Sequence, residues 1–367
     1  MHCLISNAGF KGIIDASKRC SVAGSVMPEI RQNLATREWV IIATERARRP
    51  EQFILPSRGS ILDRPEHDPN CPFCPGNEEL DLERFRMPAT GDWQVRVVRN
   101  RYPALLENDR YQRHFHGINR ALAGFGYHDI VVESRRHNTC AALEPVEGLI
   151  NTLVAFQMCA TIYRGDPRIE HIVFFKNHGA TAGTSLLHPH AQAVALPVVP
   201  HDIRVRNEEA RRYFDDYGEC VLCRMREDEE QQQDRVIVSS RHFTAFIPYA
   251  AYSPFHLWIV PRRHATHFLD ATIEEIEDLA HVLRDVLRRI YYGLNDPDYN
   301  YIVRSAPESE RMARHLHWYV TVIPRVTQTA GFEMGTGMFI NTALPEESAR
   351  FLRNVVLPDE STNHDSD

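Results

Sequence analysis

The sequence predicts an α+β fold of two related halves, each an antiparallel sheet crossed by one long helix. Three observations carry that prediction. The same landmarks occur twice in the same order: Cys71-Pro72-Phe73-Cys74, Arg135-Arg136-His137 and His188-Pro189-His190, then Cys220-Val221-Leu222-Cys223, Arg262-Arg263-His264 and His315-Leu316-His317. From the histidine that ends each Arg-Arg-His to the first of each His-x-His is 51 residues in both copies. Between the landmarks lie short β-rich runs and one long helix with an apolar side, the pattern of layered sheet and helix. An Asp-Pro pair (Asp166-Pro167, Asp296-Pro297) divides the two 51-residue intervals differently, so part of their agreement is coincidence.

Taken in order, residues 1–27 have neither a clean apolar core for secretion nor the arginine content of a transit peptide. They are expected to be a leader without order, with Met27 a candidate start. The first half follows over residues 28–200. Its strands are expected at Trp39–Ala43, Val95–Val98, Ile130–Val132 and Ile172–Phe175, where β-branched and aromatic residues gather. Its helix is expected near Val146–Tyr163. The join falls near Pro197 to Arg212, where proline and then charge interrupt the pattern. In the second half, residues 201–355, strands are expected at Phe255–Val260 and Trp318–Ile323. Its helix is the better marked: Ile276, Leu279, Leu283, Leu287 and Ile290 recur at helical spacing, and Thr272 with Glu275 forms a capping box. Residues 356–367 form an acidic tail expected to fray.

The 367 residues are 43% apolar and 25% charged, enough for two domains with real cores and too apolar for disorder. With 42 basic against 49 acidic side chains the net charge is −7, which argues against a nucleic-acid or membrane-surface role. No apolar run reaches 18 residues, so no bilayer span is expected, and the expected compartment is the cytoplasm. Four of the eight cysteines form the two pairs, while Cys3, Cys20, Cys140 and Cys159 are scattered. A secreted disulfide scaffold is shorter and denser in cysteine, so paired CxxC in a chain with 19 histidines points to metal. A thioredoxin-like redox role is the weaker reading, because neither pair opens a recognisable helix after a strand.

Alternation along a strand puts His188, His190 and Gln192 on one face. A structural zinc site closes with four N or S ligands. Cys71, Cys74, His137 and His188 make such a set and leave His190 free beside the metal. The second copy offers Cys220, Cys223, His264 and His315, with His317 or His267 able to replace a ligand. Two matching sets weigh against merely packed or surface histidines, and each site contributes on the order of 10 kcal/mol to folding. His190 is then available for chemistry: an imidazole can attack phosphorus and form a phosphoramidate labile enough to pass the group on. Upstream, Asn177-His178-Gly179-Ala180-Thr181-Ala182-Gly183-Thr184-Ser185 runs straight into His-x-His. Its small residues and hydroxyls let backbone N–H groups approach phosphate oxygens.

These residues carry a family resemblance. The stretch from Asn177 to Gln192 resembles the active-site segment of the histidine-triad superfamily branch that holds galactose-1-phosphate uridylyltransferase and ADP-glucose phosphorylase. The segment Glu38–Pro50 resembles that family's phosphate-binding segment, Cys71–Glu78 its zinc knuckle, and Gly331–Asn341 its sugar-binding stretch. The resemblance extends from about Glu29 to Phe351. It implies two fused histidine-triad-like domains, a homodimer whose active sites are completed by the partner subunit, and two structural zinc ions per chain. It matches His190 to the nucleophile that accepts a nucleoside monophosphate, and His188 to a zinc ligand beside Cys71, Cys74 and His137. Gln192 matches the group that holds the covalent intermediate, and Ser185 a phosphate contact, with Gly183 and Thr184 in the same loop. Asn100 and Asn177 match the nucleotide site, Arg46 and Arg49 a basic pair near the phosphates, and Glu333 a carboxylate that reads sugar hydroxyls.

The expected reaction is therefore ping-pong nucleotidyl transfer from a sugar nucleotide, with a sugar 1-phosphate as the leaving or accepting partner. Pro189 between the two histidines favours the uridylyltransferase form, transfer between UDP-glucose and a hexose 1-phosphate in galactose metabolism. The second CxxC pair, Ala195–Pro200 and Gly331–Asn341 resemble the ADP-glucose phosphorylase branch, in which phosphate takes up the adenylyl group. A zinc-stabilised nucleic-acid binder would use the same cysteines, but it should present a basic face, which the net acidic chain speaks against. A histidine-triad hydrolase usually has a third histidine where this chain has Gln192. Histidine can serve as acid and base there, whereas glutamine only hydrogen-bonds and favours transfer.

Overall fold

The computed structural model describes residues 27–43, 48–56, 59–108 and 112–358. The expected leader up to Val26, and the tail beyond Pro358, lie outside the described residues. In the first half the chain forms β1 (Glu29–Gln32), β2 (Trp39–Ile42), β3 (Glu83–Met87), β4 (Val95–Arg99), β5 (Arg113–His116), β6 (Asn119–Leu122), β7 (Tyr127–Val132), α1 (Val146–Tyr163), β8 (His171–His178) and β9 (His190–Leu196). Then come α2 (His201–Tyr217), α3 (Val221–Gln232), β10 (Val236–Ser239), β11 (Phe243–Phe246), β12 (Leu257–Pro261) and α4 (Ile273–Leu294). The chain continues through β13 (Tyr299–Arg304), β14 (Tyr319–Pro324), α5 (Gly331–Thr336), β15 (Phe339–Asn341) and α6 (Pro345–Asn354).

The two sheets expected from the repeat are one. Ten antiparallel strands run in the order β10-β11-β12-β14-β13-β8-β9-β7-β4-β3. Read outward from the centre, each half has the same order, and the halves join where β8 pairs with β13, Asn177 opposite Asn300 and Phe175 opposite Ile302. That arrangement is a pseudo-twofold about the β8–β13 seam. A separate three-stranded sheet, β1-β2-β15, ties the chain's early residues to its late ones.

Alternation gives the large sheet two faces. One buries Val95, Val97, Val131, Ala191, Ala193 and Ala195 with their second-half counterparts Leu257, Ile259, Val320 and Val322 against α1 and α4. Truncating Leu257 or Ile259 to alanine would cost about 2–5 kcal/mol each. Thr272 caps α4 by accepting from the Glu275 amide while the Glu275 carboxylate accepts from Thr272 N–H, the box expected from the sequence. Helix α1 has the length and hydropathy of a membrane span although it contains Glu147. In this fold it is a core helix, with Leu149, Leu153, Phe156 and Ala160 turned into the sheet.

The opposite face carries His190 and Gln192 of β9, and around it the sequence reading needs correcting. The charged stretch taken as the join is largely α2, whose apolar periodicity is weak because Ala210 is its one fully buried residue. Cys220 is the N-cap of α3, so the second CxxC does open a helix, though one that follows α2 rather than a strand.

Candidate functional site

His190 begins β9 and is buried. Its Nδ1 lies 2.8 Å from the His188 carbonyl oxygen, which can only accept, so Nδ1 carries the proton and Nε2 keeps its lone pair. Burial pushes the His190 pKa down, which favours the neutral nucleophilic ring. On the sheet's other face Lys176 forms an ion pair with Glu133 and donates to the His190 carbonyl at 3.3 Å. Tyr301 donates to the other Glu133 oxygen at 3.3 Å.

Cys71, Cys74, His137 and His188 converge, each offering one ligand atom within 4.8 Å of the rest, and all four are buried. Cys74 Sγ stands 3.6 Å from His137 Nδ1 and 3.5 Å from His188 Nδ1. Sulfur and nitrogen ligands of a tetrahedral zinc stand about 3.5 Å apart, so the set fits the ion. His188 Nε2 donates to the Ser134 carbonyl at 2.8 Å, which fixes the ring with Nδ1 toward the thiolates. Burial raises the Cys71 pKa to about 11, so a cation is needed to draw off its proton at neutral pH. Phe73, between the two cysteines, packs its ring 5.4 Å from that of His190. The knuckle thereby walls His190.

The pocket in front of His190 holds about 300 Å³ and is lined by Phe73, Asn100, Tyr102, Ser185 and Gln192 among others. The resemblance did not mark its key support, His128. The Ala104 amide donates to His128 Nδ1 at 3.0 Å, so the ring's proton sits on Nε2, 2.9 Å from Gln192 Oε1. That bond turns the Gln192 carboxamide nitrogen to the pocket. Asn100, whose oxygen accepts from the Tyr102 amide at 2.9 Å, lies beside the same His128 nitrogen. The signal was available: His128, Ile130 and Val132 alternate on the strand opposite Gln192.

The Gly-rich loop is more structural than expected. Asp298 accepts from both the amide and the hydroxyl of Thr181, at 2.7 and 2.6 Å. A Cβ at Gly179 would stand 2.0 Å from that carboxylate, and Gly179 has φ +83°, so only glycine fits. Asn177 is held through its oxygen by Asn300 at 2.8 Å, and Thr184 donates to the Leu186 carbonyl at 3.3 Å. Of the loop residues named from the sequence, Ser185 lines the pocket; Asn177, Gly183 and Thr184 do not. Arg46 lies outside the described residues. Arg49 is exposed and borders a different cavity with Glu347 and Arg350. Glu333 caps α5, accepting from the Ala330 amide at 2.9 Å, and faces a cavity of about 390 Å³ with Arg48 and Tyr252. Neither cavity shares a residue with the His190 pocket.

In the second half Cys220, Cys223 and His264 converge, with Cys223 Sγ 3.4 Å from His264 Nδ1. His315 stands outside that group, its ring 6.4 Å from that of Phe214. The strand register explains why. Ile130 pairs with Gln192 and Trp258 with Thr321, and the 2.9 Å contact of His128 with Gln192 is repeated at 2.8 Å by His256 with Thr321. Counting back along β9 and β14, His190 corresponds to Tyr319 and His188 to His317. The ring pair His137–His188, 5.5 Å apart, is matched by His264–His317 at 5.1 Å. Among the described residues His315 Nε2 and His317 Nε2 are both buried without a hydrogen-bond partner and neither joins the converging group, so it is the strand register and the ring pair with His264 that favour His317 as the fourth ligand.

Comparison with known proteins agrees with this geometry. The family model of the galactose-1-phosphate uridyl transferase N-terminal domain matches residues 21–200, and that of the C-terminal domain residues 206–362. An ADP-glucose phosphorylase of Arabidopsis thaliana is 37% identical over 337 residues, 90% of this chain and 93% of that protein. A galactose-1-phosphate uridylyltransferase of Thermotoga maritima is 30% identical over 340 residues, 89% of this chain and 98% of that protein. The crystal structure of an A. thaliana ADP-glucose phosphorylase with bound ADP-glucose superimposes with a TM-score of 0.75 at 34% identity, over 91% of this chain and 100% of that one.

Proposed function

The chain belongs to the galactose-1-phosphate uridyl transferase family of nucleotidyltransferases, and within it we propose that this enzyme is an ADP-glucose phosphorylase. The observation that carries this is the 37% identity to such a phosphorylase over 90% of the chain, against 30% for the uridylyltransferase. The uridylyl reading favoured by Pro189 becomes the second one. Six unpaired cysteines among the described residues support a reducing compartment, the cytoplasm.

In this reading His190 Nε2 attacks the α-phosphorus of ADP-glucose; the P–N bond forms as the bond to glucose 1-phosphate breaks. An oxygen of inorganic phosphate then attacks the adenylyl-histidine, the P–N bond breaks, and ADP leaves with the neutral ring restored. The His188 carbonyl holds the Nδ1 proton through both steps and eases the positive charge the ring acquires. The Gln192 amide, aimed by His128, donates to nonbridging oxygens where charge gathers. Having no titratable proton, it cannot deliver water as a base. Cys71, Cys74, His137 and His188 would hold one zinc ion, and Cys220, Cys223 and His264 with His317 a second; with all four positions filled by protein ligands, each would serve structure, fixing the Phe73 knuckle and the start of each His-bearing strand. Glu333 lies away from the pocket of its own chain, which supports a homodimer in which it serves the partner's site.

The test is intact mass after incubation with ADP-glucose alone. An AMP-sized adduct on His190, released as ADP by phosphate, is expected. A UMP-sized adduct from UDP-glucose alone, discharged by a hexose 1-phosphate, would replace this proposal with uridylyl transfer.

A further inference from the structure

The pseudo-twofold that places Tyr319 where the first half has His190 also supplies a second pocket. Pro72 and Phe73 wall the catalytic pocket; their counterparts in the repeated knuckle, Val221 and Leu222, line a pocket of about 60 Å³ together with Tyr319. Two arginines enter it: Arg206 from α2, and Arg304 from the end of β13, at the strand position Asn177 holds in the first half.

Their pairing is unusual for this molecule. Other buried or half-buried arginines have a carboxylate, whereas half-buried Arg206 and Arg304 differ: Arg31 has Glu346, Arg84 has Asp129, Arg96 has Glu83 and Arg235 has Glu229. Arg206 and Arg304 form no ion pair and no hydrogen bond among the described residues, and Arg304 Nε is fully enclosed without a partner. Glu38 and Asp202 act on Arg206, and Asp202 on Arg304, only at longer range. Burial, with repulsion from Arg206 added, pushes the Arg304 pKa below the usual arginine value. Two guanidiniums lining one pocket and repelling each other, without a hydrogen-bond partner among the described residues, are complementary to a tetrahedral, multiply charged oxyanion, which accepts several N–H bonds at once and offsets the repulsion. Thr36, Asn207 and Ser305 add neutral polar groups to the same wall.

We propose that the second half holds a non-catalytic phosphate site at the position equivalent to the active site, occupied by inorganic phosphate or the phosphate of a small phosphomonoester. Tyr319 in place of the nucleophile means that the ligand binds there without forming a bond to the protein.

The experiment is calorimetric titration of the full zinc-loaded chain, first with inorganic phosphate and separately with glucose 1-phosphate. The wild type is expected to bind one more phosphate per chain than Arg206→Gln/Arg304→Gln, while nucleotidylation of His190 stays unchanged. Because the difference between two proteins is read, the result does not depend on whether the catalytic pocket itself takes phosphate. A difference seen with phosphate alone assigns the site to the inorganic ion; a difference with both ligands assigns it to the phosphomonoester group. Equal stoichiometry in the two proteins with both ligands overturns the proposal. Should the double variant not fold, Arg206→Gln alone, on partly exposed α2, is expected to weaken one phosphate-binding event by about tenfold or more, and unchanged affinities would overturn it equally.

Discussion

Where the first half opens its last strand with His190, the second has Tyr319; where the first buries the ion pair of Lys176 and Glu133, the second has Val303 and Pro261 at the corresponding strand positions. Strand order, crossing helix, cysteine knuckle and the histidine ring pair beside it, His137–His188 in one half and His264–His317 in the other, are kept in both. The contrast separates what the fold requires from what the reaction requires. Features present twice answer to folding; of the features present once, His190 is the residue proposed for the chemistry, and the Lys176–Glu133 pair holds its backbone carbonyl from beneath.

The largest effect that bears on this division is metal loss. A structural zinc is worth on the order of 10 kcal/mol, so Cys71→Ser and Cys220→Ser should each lower zinc content by about one ion per chain and lower Tm. Only Cys71→Ser should also abolish nucleotidylation of His190, because Phe73 and His188 lose their anchor. If folded Cys220→Ser lost the adduct as completely, the metal of the second half would belong to the chemistry as well. Next in size is the nucleophile itself. His190→Ala should cut turnover by at least about 10⁴-fold with zinc content and Tm unchanged, while Tyr319→Phe should leave turnover at the wild-type rate. A smaller effect follows from the buried ion pair. Lys176→Met strands the Glu133 carboxylate and should cost about 3–5 kcal/mol in urea unfolding. Lys176→Met/Glu133→Leu should recover most of it, since the second half already tolerates apolar residues at both places.

The fold class, the two helices with their bounds near Val146–Tyr163 and after Thr272, and the first Cys-Cys-His-His set were legible because each rests on a local signal: alternation, helical period or fixed ligand spacing. The single continuous sheet was not, because the β8–β13 seam is a pairing between distant strands that no local pattern announces. The second metal site shows a subtler limit. Matching the two 51-residue intervals aligned His188 with His315, while the strand register aligns it with His317, 53 residues beyond His264. A slip of two residues returns every side chain to the same face, so alternation in sequence cannot expose it; only hydrogen-bond register does. Helix α2 was missed because it packs on the surface and buries too little to leave a period. Arg49 and Glu333 illustrate the reverse case, where a motif was recognised but its place in one chain lies outside the catalytic pocket.

The smallest predicted effect tests the one contact that both halves keep and use differently. His256 accepts from Trp258 Nε1 at 3.1 Å and is wholly buried, so in the second half the histidine is packing. His128 instead donates to Gln192 at the edge of an open pocket, so in the first half it is aim. His128→Leu should leave zinc content and Tm near wild type and slow formation of the nucleotidyl-histidine by about 10–100-fold, the usual cost of letting a positioned group drift. His128→Gln, which can still donate, should recover part of that loss. The two residues act as a unit, so His128→Leu/Gln192→Ala should be no slower than Gln192→Ala alone. Multiplying effects in the double variant would mean that His128 acts on the substrate directly rather than through Gln192.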